Sequence, residues 1–253
     1  MCIDCGCATP GHDHSHHHDE THGHDHQHEH DHGHRTIRIG EDLLAKNDRL
    51  ARRNREAFAA RGVFVLNLVS SPGSGKTSIL ERTLADLKNQ VRFAVLEGDQ
   101  QTSNDADRIA ATGVPVKQIN TGAGCHLDAH MVGHGVEAFA LGATDVLLIE
   151  NVGNLVCPAA FDLGEDHKVA VLSVTEGEDK PVKYPQMFQA ADLLLINKID
   201  LLPYLRFDIE QCKAFARRVN PQVRILELSC QSGEGMQAWY DWLAEGVKAK
   251  KAK

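Results

Sequence analysis

The chain opens on a concentration of metal-binding side chains. Cys2, Cys5 and Cys7 fall within six residues, and a His/Asp/Glu/Gly run continues to His34. Twelve of the sixteen histidines lie in these first 34 residues. Thiolate sulfur and neutral imidazole nitrogen are the side-chain ligands best suited to soft and borderline divalent ions. Three thiolates with the terminal amine or a backbone amide could arrange themselves square-planar, which favours Ni²⁺ or Cu²⁺. Cys2-x-x-Cys5 is equally a zinc half-site. The histidines read as a reservoir rather than one defined site. A purification tag is the bland alternative, opposed by the interspersed acids and glycines and by the cysteines ahead of them.

A second chemistry begins at Ser70-Ser71-Pro72-Gly73-Ser74-Gly75-Lys76-Thr77. Glycines let a loop curl so that its N–H groups point at phosphate oxygens, and a following helix adds its positive end. Gly73, Ser74, Gly75, Lys76, Thr77 and Ser78 are the expected phosphate ligands. Lys76 reaches the β/γ-phosphates and the Thr77 hydroxyl ligates Mg²⁺. Ser70 stands where the usual pattern has its first glycine.

Asn197-Lys198-Ile199-Asp200 follows an apolar run far downstream. The Asp200 carboxylate can accept from both N1–H and the 2-amino group of guanine. Adenine offers no such donor pair, so a mispaired buried carboxylate rejects it. The nucleotide is therefore expected to be GTP or GDP. Ser229-Cys230 could add backbone support to the base, or be a plain strand end.

Two further carboxylates close apolar runs, Asp99 and Glu150, and both are candidates for the Mg²⁺ shell. Either could instead cap the helix that follows. Gly153 is placed to offer its N–H to the γ-phosphate and so to sense hydrolysis. Cys125 and His126 at a loop–helix junction, with Cys157 seven residues past Glu150, could share one ion. Metal affinity would then depend on nucleotide state through the 150–157 segment. His130 and His134 are expected to share a helix face with His126. The competing account is two structural cysteines and solvent-facing histidines.

These residues need a scaffold. Continuous Val/Ile/Leu runs at 63–69, 91–97, 114–119, 145–151, 168–174, 191–197 and 223–229 alternate with helical patterns near 76–89, 103–112, 125–141, 208–219 and 234–249. Runs buried on both sides and separated by helices predict an α/β fold, a mainly parallel sheet with helices on both faces. The expected organisation is a disordered metal-binding tail over 1–36, an amphipathic helical segment over 37–62 that packs on the domain, and a P-loop domain over 63–253.

Composition narrows the rest. Of 253 residues about 215 lie beyond the tail, enough for one α/β domain or at most two small ones. A net charge of −8, with no basic stripe outside 248–253, argues against nucleic acid. No apolar run reaches the roughly 18 residues of a membrane helix, and no export signal opens the chain. Seven cysteines without an even framework suit thiolate ligation in a reducing cytoplasm.

Taken together, the chain resembles the hydrogenase nickel-incorporation GTPases, the HypB family. The resemblance is carried by Cys2-x-x-Cys5-Gly6-Cys7, the His-rich tail, the 71–77 loop, Glu97-Gly98-Asp99, Gly124-Cys125-His126, the stretch from Glu150-Asn151-Val152-Gly153 through Cys157-Pro158, and Asn197-Lys198-Ile199-Asp200. It implies slow intrinsic GTP hydrolysis and a GTP-dependent homodimer. It also implies nickel delivery to the large subunit of [NiFe]-hydrogenase together with a partner nickel metallochaperone. The metal site at Cys125, His126 and Cys157 would be shared across that dimer, with zinc possible in nickel's place. A lysine, here Lys180, would reach the other subunit's nucleotide. The alternatives are a nickel store with a vestigial nucleotide domain, or a related GTPase serving another metalloenzyme.

Overall fold

A computed structural model describes residues 32–100 and 103–252, with side chains from Asp42 onward. Cys2, Cys5, Cys7 and most of the histidine run lie outside the described residues. All seven apolar runs form strands: β1 (Phe64–Ser70), β2 (Phe93–Asp99), β3 (Val116–Asn120), β4 (Val146–Glu150), β5 (His167–Ser173), β6 (Leu193–Asn197) and β7 (Arg224–Glu227). They make one parallel sheet in the order β3-β2-β4-β1-β5-β6-β7.

The helices are α1 (His32–Ala59), α2 (Lys76–Leu87), α3 (Asn104–Ala110), α4 (Ala129–Gly135), α5 (Lys180–Lys183), α6 (Pro185–Ala190), α7 (Ile209–Val219) and α8 (Met236–Lys251). Strand alternation sorts the apolar side chains onto two faces. On one face Leu66, Leu68, Val95 and Leu148 pack under Ile79, Leu80 and Leu84 of α2, Ile109 of α3, and Trp239 and Leu243 of α8. Trp239 is fully buried, donates to the Thr83 hydroxyl at 2.9 Å, and stacks on Trp242 at 5.5 Å. Full burial of such a side chain is worth about 1.5–3 kcal/mol, and the hydrogen bond leaves no indole donor unmet.

The opposite face carries two apolar clusters. Val63, Val65, Leu147 and Ile149 lie under Phe58 of α1 and Val132 of α4. Ala170, Leu172, Leu194 and Ile196 lie under Phe188 of α6 and Cys212 and Ala216 of α7. Helix α1 thus packs on the domain. Leu43 is exposed, while Ala51 and Phe58 are buried. Two asparagines fasten the helix. Asn47 donates to the Asp162 carbonyl at 2.8 Å and accepts from the Ala129 N–H, and Asn54 donates to the Ala129 and Leu163 carbonyls. Gly164 (φ +92°) passes so close that a Cβ there would stand 2.6 Å from the Ala51 carbonyl oxygen.

Three features differ from the sequence expectation. Helix α1 begins at His32, inside the stretch over 1–36 that was expected to be disordered. The helix expected over 125–141 is only α4, because Asp128 caps it by accepting the Met131 N–H at 2.8 Å. A 3₁₀ turn at Val136–Ala138 follows it. His126 therefore sits in the turn before α4 and does not share a helix face with His130 and His134. Helices α5 and α6 were not foreseen; each is only a turn or so long, with Pro181 and Pro185 in their first turns.

Candidate functional site

Strand β1 lies between β4 and β5; the chain leaves β1 toward β2 on one side, and the connection from β4 then crosses β1 to β5 on the other. A parallel sheet opens a crevice at such a reversal, beyond the carboxyl ends of its strands. The loop from Ser70 to the start of α2 occupies that position. A cleft of about 510 Å³ extends from residues 70–78 to Asp99, Gly153 and Lys198. Gly73 (φ +78°) and Gly75 (φ +92°) give the loop its curl, and a Cβ on Gly75 would meet the Asn197 side-chain nitrogen at 2.5 Å.

The residues expected to read the base hold this loop directly. Asn197 donates to the Ser74 carbonyl at 3.0 Å and accepts from the Cys230 N–H at 3.4 Å. Lys198, with φ +63°, donates to the Gly73 carbonyl at 2.7 Å. The Asp200 Oδ1 is buried with no protein partner, as is the Ser74 hydroxyl. A buried acceptor without a protein partner matches a ligand that brings its own N–H groups.

Beneath the loop, Glu150 accepts from the Thr77 hydroxyl at 2.6 Å, and the Lys76 ammonium stands 3.2 Å from the same Oε1. The other oxygen of Glu150 is buried and unpartnered. Glu97 pairs in register with Glu150 on the neighbouring strand, and its Oε2 is likewise buried and unpartnered. Burial first, then the charges of Glu150 and Asp99, push the Glu97 carboxyl up to about 8. Hard oxygen donors left unmet beside a threonine hydroxyl fit Mg²⁺. Asp99 ends β2 on the rim of the same cleft.

Three residues around the loop were given no role from the sequence. Glu97 is one. Arg108 lines the cleft, paired with Glu81 and Asp105, and donates to the Ser78 hydroxyl at 3.2 Å. Glu176, after β5, accepts from the Ser71 hydroxyl and from the Ser173 N–H. Period-two alternation from Asp99 would have found Glu97. The other two meet the loop only through the tertiary fold. Lys180 is half-buried within this chain, 3.4 Å from Glu176 and over the Tyr184 ring.

The second site forms where the 150–157 segment meets the turn before α4. The ligand atoms of Cys125, His126 and Cys157 all lie within 4.8 Å of one another, and the three residues are half-buried. Among the described residues this is the one set of three such ligands so close together. Cys125 Sγ is 3.6 Å from His126 Nδ1, and the His126 ring rests on Phe161 at 3.9 Å. Burial lowers the pKa of His126 and so favours the neutral imidazole, the form that ligates. His130 and His134 contact each other on α4, with ring centroids 4.5 Å apart, and are not part of this set. Gly153, between Glu150 and Cys157, lies so close to Pro72 that a Cβ would stand 3.2 Å from that ring. The same eight residues therefore touch the phosphate loop and supply one of the three candidate metal ligands.

The fold and the cradle define a P-loop nucleotide-binding domain with a thiolate–imidazole site beside it. The CobW/HypB/UreG nucleotide-binding domain family matches residues 64–227. The hydrogenase maturation factor HypB of Azotobacter vinelandii is 64% identical over 209 residues, which span 83% of this chain and 69% of the relative. The crystal structure of HypB from Archaeoglobus fulgidus superposes with a TM-score of 0.76 at 42% identity, covering 80% of this chain and 99% of that one. HypB from Helicobacter pylori in complex with nickel gives 0.77 at 41%, covering 81% and 96%. The chain belongs to the CobW/HypB/UreG family, and within it to the HypB hydrogenase maturation factors.

Proposed function

We infer that this chain is a GTP-hydrolysing nickel chaperone that delivers nickel, in a GTP-dependent way, for maturation of [NiFe]-hydrogenase. One observation carries the reading: segment 150–157 starts at a carboxylate bonded to Thr77 and ends at a thiol beside Cys125 and His126. The nickel-bound relative supports the choice of cargo. Zinc fits the same two thiolates and one imidazole.

In this account Gly73, Ser74, Gly75 and Ser78 wrap the phosphates with loop and helix N–H groups. Asn197 and Lys198 brace the loop, and Asp200 accepts from guanine. Lys76 leaves Glu150 for the β/γ-phosphates. Mg²⁺, when bound, would neutralise developing phosphate charge, and Thr77, Glu150 and Asp99 would hold it directly or through water. Catalysis rests on positioning and charge neutralisation around a loose transition state. Gly153 donates toward the γ-phosphate, and its movement on hydrolysis shifts Cys157 relative to Cys125 and His126. That shift loosens the ion for transfer to the hydrogenase large subunit through a partner metallochaperone. With GTP bound the chain pairs as a homodimer that shares the metal site, and Lys180 leaves Glu176 for the partner's nucleotide. Outside the described residues, Cys2, Cys5, Cys7 and the histidines gather nickel.

Lys76→Ala tests the coupling. It is expected to slow GTP-triggered nickel release at least tenfold, followed with a chromogenic nickel chelator, while nickel binding with GDP persists. An unchanged release rate rejects the proposal. A nickel store would release no phosphate in a turnover assay, which separates that rival.

A further inference from the structure

The two apolar clusters under α1/α4 and under α6/α7 are divided by a polar seam on the same face of the sheet. Its members are Asn67 of β1, Asn151 after β4, and Glu165 and Lys168 around the start of β5. All are buried: Asn67 0% exposed, Asn151 1%, Glu165 8% and Lys168 7%. Four polar side chains in an otherwise apolar layer carry a large desolvation cost, so each must be bonded where it sits. Three are hydrogen-bonded in series, and the fourth is ion-paired to the last of them. Asn151 donates to Asn67 Oδ1 at 3.2 Å, Asn67 donates to Glu165 Oε1 at 3.0 Å, and the Lys168 ammonium stands 3.9 Å from that oxygen.

The two ends of this chain fasten on the backbone of the metal site. Asn151 Oδ1 accepts the Leu127 N–H at 3.1 Å and the Val152 N–H at 3.0 Å. Leu127 follows His126, and Val152 precedes Gly153. At the other end the Lys168 ammonium donates to the carbonyls of Pro158, Ala159 and Phe161 at 2.9, 3.2 and 3.1 Å. Pro158 follows Cys157, and Phe161 carries the ring under His126. The middle of the chain is β1, the strand that delivers the phosphate loop three residues beyond Asn67.

We propose that Asn67, Asn151, Glu165 and Lys168 form a buried strut whose positioning of the His126 turn and the Cys157 segment makes nickel affinity respond to the bound nucleotide. The inference deepens the coupling proposed above and rests on it. Neither Asn67, Glu165 nor Lys168 touches the nucleotide cradle or the ion pocket. Their bonds fix where two of the three ligand-bearing backbones stand relative to β1 and β4. A displacement of the phosphate loop or of Gly153 therefore reaches the ligands through a rigid bonded path, not through loose loop. A strut also differs from an apolar filling in a testable way. Leucine at position 67 would fill the volume yet join nothing.

The experiment measures nickel dissociation constants with GDP and with a non-hydrolysable GTP analogue, in the unchanged chain and in Asn67→Leu. Roughly a 5- to 150-fold ratio between the two nucleotide states is the usual size of such a coupling. In Asn67→Leu the ratio is expected to fall to within about two-fold of unity, while GDP affinity and nickel affinity with GDP stay within about three-fold. A ratio kept at its original value in the variant overturns the strut and leaves the coupling standing. A ratio of one in the unchanged chain overturns the coupling itself, and the strut with it. Should Asn67→Leu fail to fold, the charge-neutral pair Glu165→Gln with Lys168→Met decides by the same ratio, since it removes the three carbonyl contacts but leaves Asn67 an acceptor.

Discussion

At the scale of single residues, the site is marked by atoms that lack partners. Asp200 Oδ1 is buried without a protein partner, while the Asn197 and Lys198 side chains bond the phosphate loop. In the proposed function, base choice then rests on one carboxylate. Asp200→Asn replaces an acceptor oxygen with a donor facing guanine's own donors. A mispaired buried group costs about 1–3 kcal/mol, so GDP binding is expected to weaken on the order of 10²-fold, read by calorimetric titration. Xanthosine diphosphate, with a carbonyl in place of the 2-amino group, should gain. Lys76, Thr77, Asp200, Cys125, His126 and Cys157 were legible in the sequence because their chemistry depends on short local spacing or on type alone. Glu97, Arg108 and Glu176 were not. An acid or base in a helical or strand pattern reads as solvated until the fold shows what stands opposite it, as Ser71 stands opposite Glu176.

Elements are held to one another by polar groups at strand starts as well as by apolar faces. Asp145, just before β4, accepts from the Arg92 guanidinium at 2.7 and 2.9 Å, from the Arg92 N–H at 3.0 Å, and from Lys251 of α8 at 2.7 Å. The hydrogen bonds from Arg92, more than the cost of burial, hold its carboxyl well below the ordinary 3.8. A depressed carboxylate contributes stability that is present above the unfolded value and lost as pH falls below it. Asp145→Asn is accordingly expected to destabilise the fold by about 1–2 kcal/mol at neutral pH. The difference should shrink below about pH 3.8. Urea unfolding at several pH values measures it, and a pH-independent difference would contradict the assignment. The seven strands were legible because burial on both faces leaves unbroken apolar runs. The stretch after β5 was not, because Pro181 and Pro185 interrupt any helical period. Nor was the true start of α4, where the Asp128 cap outweighed helical propensity in 125–128.

On the scale of the whole molecule, strand order was the least legible feature. Apolar runs show that strands are buried, not which neighbours they take, and the placing of β4 between β2 and β1 emerges only from packing. That placing sets the Glu150 segment between the nucleotide cradle and the ion pocket. The N-terminal 31 residues bring three thiols and ten histidines, outside the described residues. Removing them should lower the number of nickel ions bound per chain, measured by titration against a competing chelator, while one site requiring Cys125, His126 and Cys157 remains. Loss of all binding on truncation would mean that the domain set does not hold an ion by itself.

The chain has only two tryptophans, and both ride on α8, with Trp239 bonded to Thr83 of the helix that begins at Lys76. Nature has thus wired an optical gauge to the phosphate-binding helix. Ultraviolet emission should report a displacement of that helix in stopped-flow mixing without any dye, and so time the arrival of phosphate against the departure of metal in one unlabelled sample.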